Sequence, residues 1–213
     1  MANNAMHPVG PPLGAFNNIT FGTDGVRGKA GTQLTPALAL QLGYWSSHVL
    51  MSKGPVLIGK DSRQSGDMIT AALTAGLTAA GREVWLVDLC PTPAIPYLIK
   101  KTGACGGFMV SASHNPPEDN GIKIFDEQGI KIDSRKQIFI ESKIRDEESS
   151  QHVKPTCRSF GKTYQRYELI KDYQDSLINT VKGKALNGIS IVLDLCWGSA
   201  TACGAEVFQA LGA

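Results

Sequence analysis

The chain has 213 residues, a formal net charge of +2, and 42% hydrophobic and 19% charged residues, which is ordinary for a soluble globular protein. So small a charge, with no lysine and arginine cluster among aromatic residues, argues against a nucleic-acid partner. The first residues lack the basic and apolar parts of a secretion signal, and no apolar stretch is long enough to cross a bilayer, so we expect a cytoplasmic protein without a membrane partner.

The cysteines indicate a reducing environment. There are five of them, an odd number with no Cys-x-x-Cys pair, which predicts neither a zinc site nor a disulfide framework. We expect reduced thiols that are mostly buried. The five are Cys90, Cys105, Cys157, Cys196 and Cys203.

The amino-terminal region predicts a loose tail followed by a tight turn. Residues 1–15 are rich in Asn, Pro and Gly, which is typical of an unattached terminus. Residues 19–31 read ITFGTDGVRGKAG, in which glycines surround Thr23, Asp24 and Arg27. Because glycine permits conformations and close contacts that other residues forbid, we predict a turn that approaches a ligand. Arg27 is a candidate fork for phosphate oxygens, and a solvated hairpin arginine is the alternative.

Helices and strands alternate in the next part of the chain. Threonine followed by proline, as in Thr35-Pro36, is a typical helix start, and short apolar runs after glycine predict buried strands. We predict helices over residues 35–52, 67–80 and 91–101 and strands over residues 56–58 and 83–87. With the strand that follows, this order is typical of a layered α/β/α domain with short right-handed crossovers.

The loop over residues 59–66 reads GKDSRQSG and leads from a predicted strand into a helix. Backbone amides at the start of a helix attract anions, so this loop is a candidate wall of an anion site. A structural ion pair between Asp61 and Arg63 accounts for the same residues equally well. Both interpretations stay open at this point.

Residues 106–125 read GGFMVSASHNPPEDNGIKIF and contain the main candidate site. The apolar run 108–110 predicts a buried strand that ends in a polar loop stiffened by two prolines, and residues 122–125 predict a second strand carrying Lys123. A hydroxyl, an imidazole, a carboxamide and an ammonium group therefore gather at one strand end. In α/β sheets this is where ligands bind.

These groups suit phosphate chemistry. Phosphoryl transfer needs an oxygen held in line and cations for the charge that spreads over the phosphoryl oxygens. Ser113 supplies the first, Lys123 part of the second, and His114 can donate to a phosphate oxygen or move a proton. We do not expect His114 to be the base for Ser113, because neighbouring side chains of an extended segment point to opposite faces. The alternative is an ordinary loop in which Ser113 caps a turn.

The remaining chain predicts a change of domain. The predicted elements are a hairpin over residues 126–132, a helix capped by Asp133 and reaching about residue 147, a polar surface connection over 147–162, a helix over 164–181, a strand over 189–195, a turn over 197–200 and a helix over 201–211. The predicted domains are a flexible tail (1–15), an α/β/α domain with the serine loop (16–160), a connecting helix (161–187) and the incomplete start of a second α/β domain (188–213).

The strings FGTDGVRG and SASHNPPEDNGIK resemble the signatures of the α-D-phosphohexomutases, which interconvert sugar 1-phosphates and 6-phosphates. The resemblance implies a three-layer α/β/α domain I with a mixed sheet, followed by the start of a second α/β domain. It implies that Ser113 carries the phosphoryl group, that its phosphate joins a Mg²⁺ site, and that Arg27, His114 and Lys123 are active-site residues. A sugar bisphosphate would be the activator.

Within this family the two signatures look most like the branch that acts on glucosamine phosphate. Mannose or glucose phosphate is the alternative substrate, and a phosphosugar-binding remnant without turnover is the alternative function. A phosphosugar is the expected partner, and the longer protein is a possible homo-oligomer.

Three further motifs of the family do not occur in this sequence: the Asp-Gly-Asp-x-Asp metal loop, the Gly-Gly-Glu-x-Ser-Gly segment and the Arg-x-Ser-Gly-Thr loop. Magnesium needs near-octahedral oxygen coordination, so a serine phosphate without those aspartates should hold it poorly. We therefore expect an amino-terminal portion of a longer protein that is inactive alone. A strand and a helix without a returning strand cannot bury both faces of a sheet, so residues 188–213 should be marginally ordered.

Overall fold

The computed structural model describes residues 20–146, 160–181, 183 and 185–213, and its centre is a six-stranded mixed sheet. The strands are β1 (Val26–Lys29), β2 (Val56–Lys60), β3 (Val84–Leu89), β4 (Gly106–Val110), β5 (Asp119–Asp126) and β6 (Thr163–Gln165). Their order in the sheet is β1-β5-β4-β2-β3-β6. β5 runs antiparallel to both of its neighbours, while β4, β2, β3 and β6 pair in parallel.

Helices cover both faces of the sheet. They are α1 (Pro36–Ser46), α2 (Gly66–Ala79), α3 (Ala94–Thr102), α4 (Ser134–Arg145), α5 (Leu169–Ile178) and α6 (Gly204–Ala210). One buried core joins the sheet to α1, α2 and α4, and a second core on the other face joins it to α3 and α5. The three-layer α/β/α arrangement with a mixed sheet, which the sequence predicts, is confirmed.

Capping residues start two of the helices where the sequence predicts them. The hydroxyl of Thr35 accepts a hydrogen bond from the Leu38 amide at 3.2 Å, with Pro36 at the first helical position. The Asp133 carboxylate accepts one from the Lys136 amide at 2.9 Å. Each cap satisfies an amide that has no partner inside the helix, and so sets the point where the helix begins.

The first helix ends earlier than predicted. We expected it to extend to residue 52, but α1 ends at Ser46. The guanidinium group of Arg82 donates hydrogen bonds to the carbonyl oxygens of Ser47, Leu50 and Ser52. These carbonyls therefore have partners outside a helix, and the chain can leave α1 without losing hydrogen bonds.

The helix predicted over residues 164–181 is also shorter. Thr163–Gln165 is the edge strand β6, whose Tyr164 lies opposite Trp85 of β3, and α5 begins only at Leu169. Residues 163–165 form a strand because the outer edge of β3 supplies their hydrogen-bond partners, and the local sequence does not reveal that edge. The predicted tail over 1–15 and most of the predicted connection over 147–162 lie outside the described residues.

The last predicted strand is wrong. Residues 189–195 have no regular structure, and no described residue pairs with them in a ladder. Val192 is 97% exposed and Ile189 is 50% exposed. A strand needs hydrogen bonds from a neighbour, so an apolar pattern alone does not produce one. The predicted hairpin at 126–132 is present: an antiparallel bridge joins Phe125 to Lys131, and the amides of Asp126 and Ile132 donate to the carbonyls of Ile130 and Ile124 at 2.8 and 3.1 Å. The predicted final helix also follows, as α6.

The described cysteines are free thiols. Cys90, Cys105 and Cys203 are buried, whereas Cys196 is exposed. Burial raises the pKa of the Cys90 thiol to about 12, so this group stays protonated and unreactive. Among the described residues, no helix combines the length and the apolar character that crossing a bilayer requires.

Candidate active site

Ser113 lies in the loop that follows β4, with its side chain exposed. Its backbone is in the left-handed region, with a φ of 58°. Its amide donates a hydrogen bond to the hydroxyl of Ser111 at 3.0 Å. Left-handed conformations are unfavourable for residues other than glycine, so the surrounding structure must hold this one in place.

His114 is closer to Ser113 than we expected. Its Nδ1 lies 3.4 Å from Ser113 Oγ. The expectation that the two side chains point to opposite faces is wrong, because the chain is not extended here: Ser113 turns it into the left-handed region. The imidazole is exposed and can therefore reach both the serine oxygen and a group bound to it.

Arg27 connects β1 to the serine loop. Its Nη1 donates hydrogen bonds to Asn115 Oδ1 at 3.1 Å and to the Ala112 carbonyl at 3.4 Å, and its Nη2 lies 3.1 Å from Asp24 Oδ2. Its Nε is buried and has no hydrogen-bond partner among the described residues. A buried donor without a partner is costly unless a ligand or water accepts from it.

A glycine makes room for this arginine. Gly121 on β5 lies opposite Arg27 on β1. A Cβ added at Gly121 would lie 3.0 Å from Arg27 Cγ and 2.7 Å from the Ser111 carbonyl oxygen. Any side chain at this position would displace the arginine or the strand that leads to Ser113.

Lys123 is the buried cation of the site. It lies two residues beyond Gly121 on β5, so its side chain shares a sheet face with Arg27. It is only 8% exposed, and it forms no ion pair with any residue that the structure describes. Burial lowers the pKa of Lys123, and the nearby positive charge of Arg27 lowers it further, whereas Asp24 acts in the opposite direction.

Asp24 neutralises part of this positive charge. Its carboxylate binds both Arg27 and Lys131. The hydrogen bond from Lys131 lowers the pKa of Asp24, so the carboxylate stays charged at neutral pH. Thr23 contributes its carbonyl oxygen, which accepts from Lys131 at 3.3 Å. Both residues therefore help to shape the loop.

Arg63 is the main feature that the sequence interpretation missed. The predicted ion pair with Asp61 exists, with Arg63 Nε 3.2 Å from Asp61 Oδ2. The guanidinium group also donates to four main-chain carbonyls of the serine loop, those of Ser113, Asn115, Pro116 and Asp119. The available signal was that two loops follow neighbouring strands of a parallel sheet, which brings them together.

The arrangement can bind a phosphate group beside a hydroxyl. Ser113 Oγ is exposed, an imidazole lies next to it, and Arg27 and Lys123 supply positive charge from the neighbouring strands. Metal binding has no comparable support, because the described residues contain no group of three His, Cys, Asp or Glu side chains that could hold an ion. The part of the chain that the structure describes therefore offers no preformed cluster of magnesium ligands.

A cavity of about 490 Å³ lies elsewhere, between α2 and β3. The charged residues in its wall are Lys60, Asp67 and Asp88, and Lys60 forms ion pairs with both carboxylates. Its one cation is thus paired within the wall and is not free to bind an anionic ligand. The Ser113 loop does not line this cavity, so this opening and the candidate chemistry are in different places.

The sequence matches a known family and proteins with a shared name. Residues 18–151 match the family described as "Phosphoglucomutase/phosphomannomutase, alpha/beta/alpha domain I". A phosphoglucosamine mutase of Prochlorococcus marinus (strain MIT 9303) is 60% identical over 213 residues, which are 100% of this chain and 45% of that protein. A phosphoglucosamine mutase of Synechococcus sp. (strain RCC307) is 56% identical over 213 residues, again 100% of this chain and 45% of that protein. The chain thus spans less than half the length of these curated relatives.

Solved structures show the same architecture. A putative phosphomannomutase of Thermus thermophilus is 31% identical, with a TM-score of 0.67 over 82% of this chain and 38% of that one. A phosphoglucomutase/phosphomannomutase family protein of Burkholderia thailandensis is 21% identical, with a TM-score of 0.69 over 93% of this chain and 42% of that one. At 21% identity, the second likeness concerns the fold alone.

Proposed function

Because this chain belongs to the phosphoglucomutase/phosphomannomutase family, we propose that it supplies the phosphoserine domain of a phosphoglucosamine mutase. Such an enzyme interconverts glucosamine 6-phosphate and glucosamine 1-phosphate. The observation that carries the proposal is the exposed Ser113 hydroxyl, held in a left-handed turn with His114 beside it and Arg27 bound to the same loop. In this proposal residues 16–160 belong to this domain, 161–187 add β6 and α5 to its sheet and core and lead to the rest of the protein, and 188–213 begin a second domain.

Ser113 is the phosphoryl carrier in this proposal. The phosphoserine transfers its phosphoryl group to the free hydroxyl of the sugar monophosphate: the bond from phosphorus to Ser113 Oγ breaks, the bond to the sugar oxygen forms, and Ser113 receives a proton in exchange. The resulting sugar bisphosphate reorients. Its other phosphoryl group then returns to Ser113, the serine proton passes to the product hydroxyl, and the phosphoserine is restored.

The other candidate residues have separate roles. Arg27 binds phosphoryl oxygens, and its unpartnered Nε is the donor that a bound phosphate would satisfy. Lys123 supplies a buried positive charge, which acts more strongly on a phosphate than an exposed one because little water screens it. His114, at 3.4 Å from Ser113 Oγ, donates to a phosphate oxygen or carries the proton that Ser113 gains and loses.

Magnesium and the activator follow from the family resemblance. A Mg²⁺ ion bound through the phosphate on Ser113 would withdraw charge from the phosphoryl oxygens. The described residues provide no carboxylate cluster to complete its coordination, so we assign no step to it. A sugar bisphosphate is the reagent that would first phosphorylate Ser113, because it carries the group that the serine needs.

The choice of substrate rests on the relatives. Eight relatives named phosphoglucosamine mutase are 54% to 60% identical to this chain, which favours glucosamine phosphate. Mannose or glucose phosphate is the second candidate, since a putative phosphomannomutase shares the fold at 31% identity. Competition of the three hexose phosphates for one enzyme preparation distinguishes them: the preferred substrate has the highest kcat/KM.

The test of the proposal uses a chimera that joins residues 1–213 to the remaining length of the Prochlorococcus marinus relative. We expect mass spectrometry of the chimera, after treatment with a sugar bisphosphate, to find one phosphate ester, on Ser113. The chimera should convert glucosamine 6-phosphate, and Ser113→Ala should lower kcat by at least about 10³-fold because it removes the phosphoryl acceptor.

Ser142→Ala is the matched control. This serine is exposed on α4, where its hydroxyl donates to the Phe139 carbonyl of the same helix, so its replacement should change neither the ester nor the rate. The proposal is wrong if the Ser113→Ala chimera turns over glucosamine phosphate as fast as the unsubstituted chimera. It is equally wrong if an active chimera never carries phosphate at position 113.

A further inference from the structure

We propose that Arg63 is a positioning residue that holds the Ser113 loop in its left-handed, reactive conformation. This inference rests on the proposed function, because it assigns Ser113 the role of phosphoryl carrier. Arg63 itself acts through the main chain of the loop, and we give it no contact with the substrate.

The hydrogen bonds of Arg63 span the whole loop. Nη2 donates to the carbonyls of Ser113 and Asn115, each at 2.8 Å, and Nη1 donates to those of Pro116 and Asp119, at 2.6 and 2.9 Å. The accepting residues are 50 to 56 positions away in the chain. One planar group on a neighbouring strand end therefore fixes both ends of the turn that presents the serine hydroxyl.

The guanidinium group is itself held in place. Asp61 accepts from Arg63 Nε at 3.2 Å and from the Arg63 amide at 3.1 Å. The two side chains are only 10% and 12% exposed. A second link joins the same pair of loops, since Asn120 Nδ2 donates to Ser65 Oγ at 2.9 Å. The β2–α2 loop is thus a rigid base for the serine loop, and Arg63 is its principal contact.

The left-handed backbone of Ser113 explains why such a base is needed. A non-glycine residue gives up free energy to adopt a φ of 58°, so a loop without outside contacts would relax toward ordinary conformations. Relaxation would move Ser113 Oγ away from His114 Nδ1. Without Arg63 the carbonyls of residues 113 and 115 would lose their donors, so the ordered loop and the position of the hydroxyl would be lost together.

Lysine cannot replace this group. A guanidinium presents five donors in a fixed plane, whereas an ammonium presents three donors from one point. The four carbonyls and the Asp61 carboxylate use five separate hydrogen bonds of the Arg63 side chain. We therefore expect Arg63→Lys to keep the charge and the fold but to lose most of the positioning.

The first experiment needs no enzymatic activity. Hydrogen exchange of the 213-residue chain reports on the amides of Ser113, Asn115 and Asp119, each of which donates a hydrogen bond within the loop. We expect these amides to exchange at least about tenfold faster in Arg63→Lys and Arg63→Gln, while the amides of β2 stay protected.

Arg82→Gln is the matched control. Arg82 also donates to three main-chain carbonyls, those of Ser47, Leu50 and Ser52, but these follow α1 and none of them belongs to the serine loop. Its replacement should loosen that turn and leave the amides of the serine loop unchanged. Equal exchange of the serine loop in the unsubstituted chain and in both Arg63 variants would overturn the inference.

The second experiment measures catalysis in the chimera. Misplacing a reacting group by about 1 Å costs about 10²-fold in rate, so Arg63→Lys should lower kcat by about that factor and change KM by less than about threefold. A raised KM with an unchanged kcat would show that Arg63 binds substrate and would refute the positioning role. If the unsubstituted chimera neither carries the ester nor turns over, the proposed function fails, and hydrogen exchange still decides whether Arg63 orders the loop.

Discussion

Lys123 is a buried positive charge, and it forms no ion pair with any residue that the structure describes. The side chain is 8% exposed, and burial lowers the pKa of Lys123 below its ordinary value. A buried charge without a partner destabilises the folded state, whereas a phosphate group would supply the missing partner. The residue thus favours ligand binding at the expense of stability.

We predict that Lys123→Met raises the free energy of unfolding by about 1 kcal/mol at pH 7 and abolishes phosphoryl transfer. Methionine keeps the length of the side chain and removes the charge that burial disfavours. Urea denaturation of the 213-residue chain measures the stability, and the rate of ester formation on Ser113 of the chimera measures the transfer. Equal stability of the two chains would mean that the lysine charge is already compensated in the folded state.

The difference in the free energy of unfolding between Lys123→Met and the unsubstituted chain should change with pH in one direction. Because the pKa is lowered in the folded state, the unfolded state binds more protons above the folded pKa, and the unsubstituted chain gains stability as pH rises through that range. The extra stability of Lys123→Met over the unsubstituted chain should therefore decrease between pH 7 and the ordinary lysine pKa of 10.5. Lys131→Met is the control, since Lys131 is 47% exposed and bound to Asp24, and its loss should not stabilise the chain.

Helices α1 and α2 are in close contact at two glycines. Gly43 of α1 and Gly76 of α2 each lie against the backbone of the other helix. A Cβ added at Gly76 would lie 2.0 Å from the Leu40 carbonyl oxygen, and one at Gly43 would lie 2.4 Å from that of Leu73. The two backbones are therefore as close as glycine allows, and this helix pair forms one side of the core beneath the site.

We predict that Gly76→Ala lowers the free energy of unfolding by about 2 to 3 kcal/mol, because the helices must separate to admit one methyl group. The higher helix propensity of alanine offsets this cost by at most about 1 kcal/mol. Gly66→Ala is the matched control: it lies in the same helix, and its nearest neighbour would be the flexible Lys60 side chain at 3.2 Å. Thermal unfolding compares the two, and equal losses would contradict the close-packing argument.

The two helix starts with side-chain caps were predictable from sequence, but the start of α5 and several ends and edges were not. Thr35 and Asp133 cap helices by bonds to amides three residues away, so the signal is local. The end of α1 depends on Arg82, which is 30 or more positions away from the carbonyls of Leu50 and Ser52. The strand β6 depends on the free edge of β3. Such distant partners leave no mark in the local pattern.

The candidate site also has features that the sequence predicts and features that it does not. The sequence predicts that Ser113 follows a buried strand with Lys123 on the next one, because strand patterns and loop residues are local signals. The left-handed turn at Ser113 and the contact with His114 were not predicted, since they depend on the carbonyl contacts of Arg63. A conformation maintained from another loop becomes visible only when both loops are placed in space.

Residues 188–213, called the final unit below, differ from the α/β/α domain in the contacts that stabilise them. Residues 189–195 have exposed apolar side chains and no strand partner among the described residues. The unit is attached by a few bonds, including Ser62 Oγ to the Trp197 carbonyl at 2.6 Å and Gln174 Nε2 to the Ala202 carbonyl at 3.0 Å. Cys203 and Leu211 are its buried apolar residues.

We predict that the amides of residues 188–213 exchange with solvent at least about 10³-fold faster than those of residues 56–58 in the 213-residue chain. The amides of β2 lie between two parallel strands, so they open only when the domain unfolds, whereas the final unit can detach by losing a few contacts. Hydrogen exchange followed by mass spectrometry compares the two segments in one sample. In the chimera the added chain can pair with residues 189–195, and their protection should then rise. If the two segments are already equally protected in the unextended chain, the final unit is a cooperative part of the first domain.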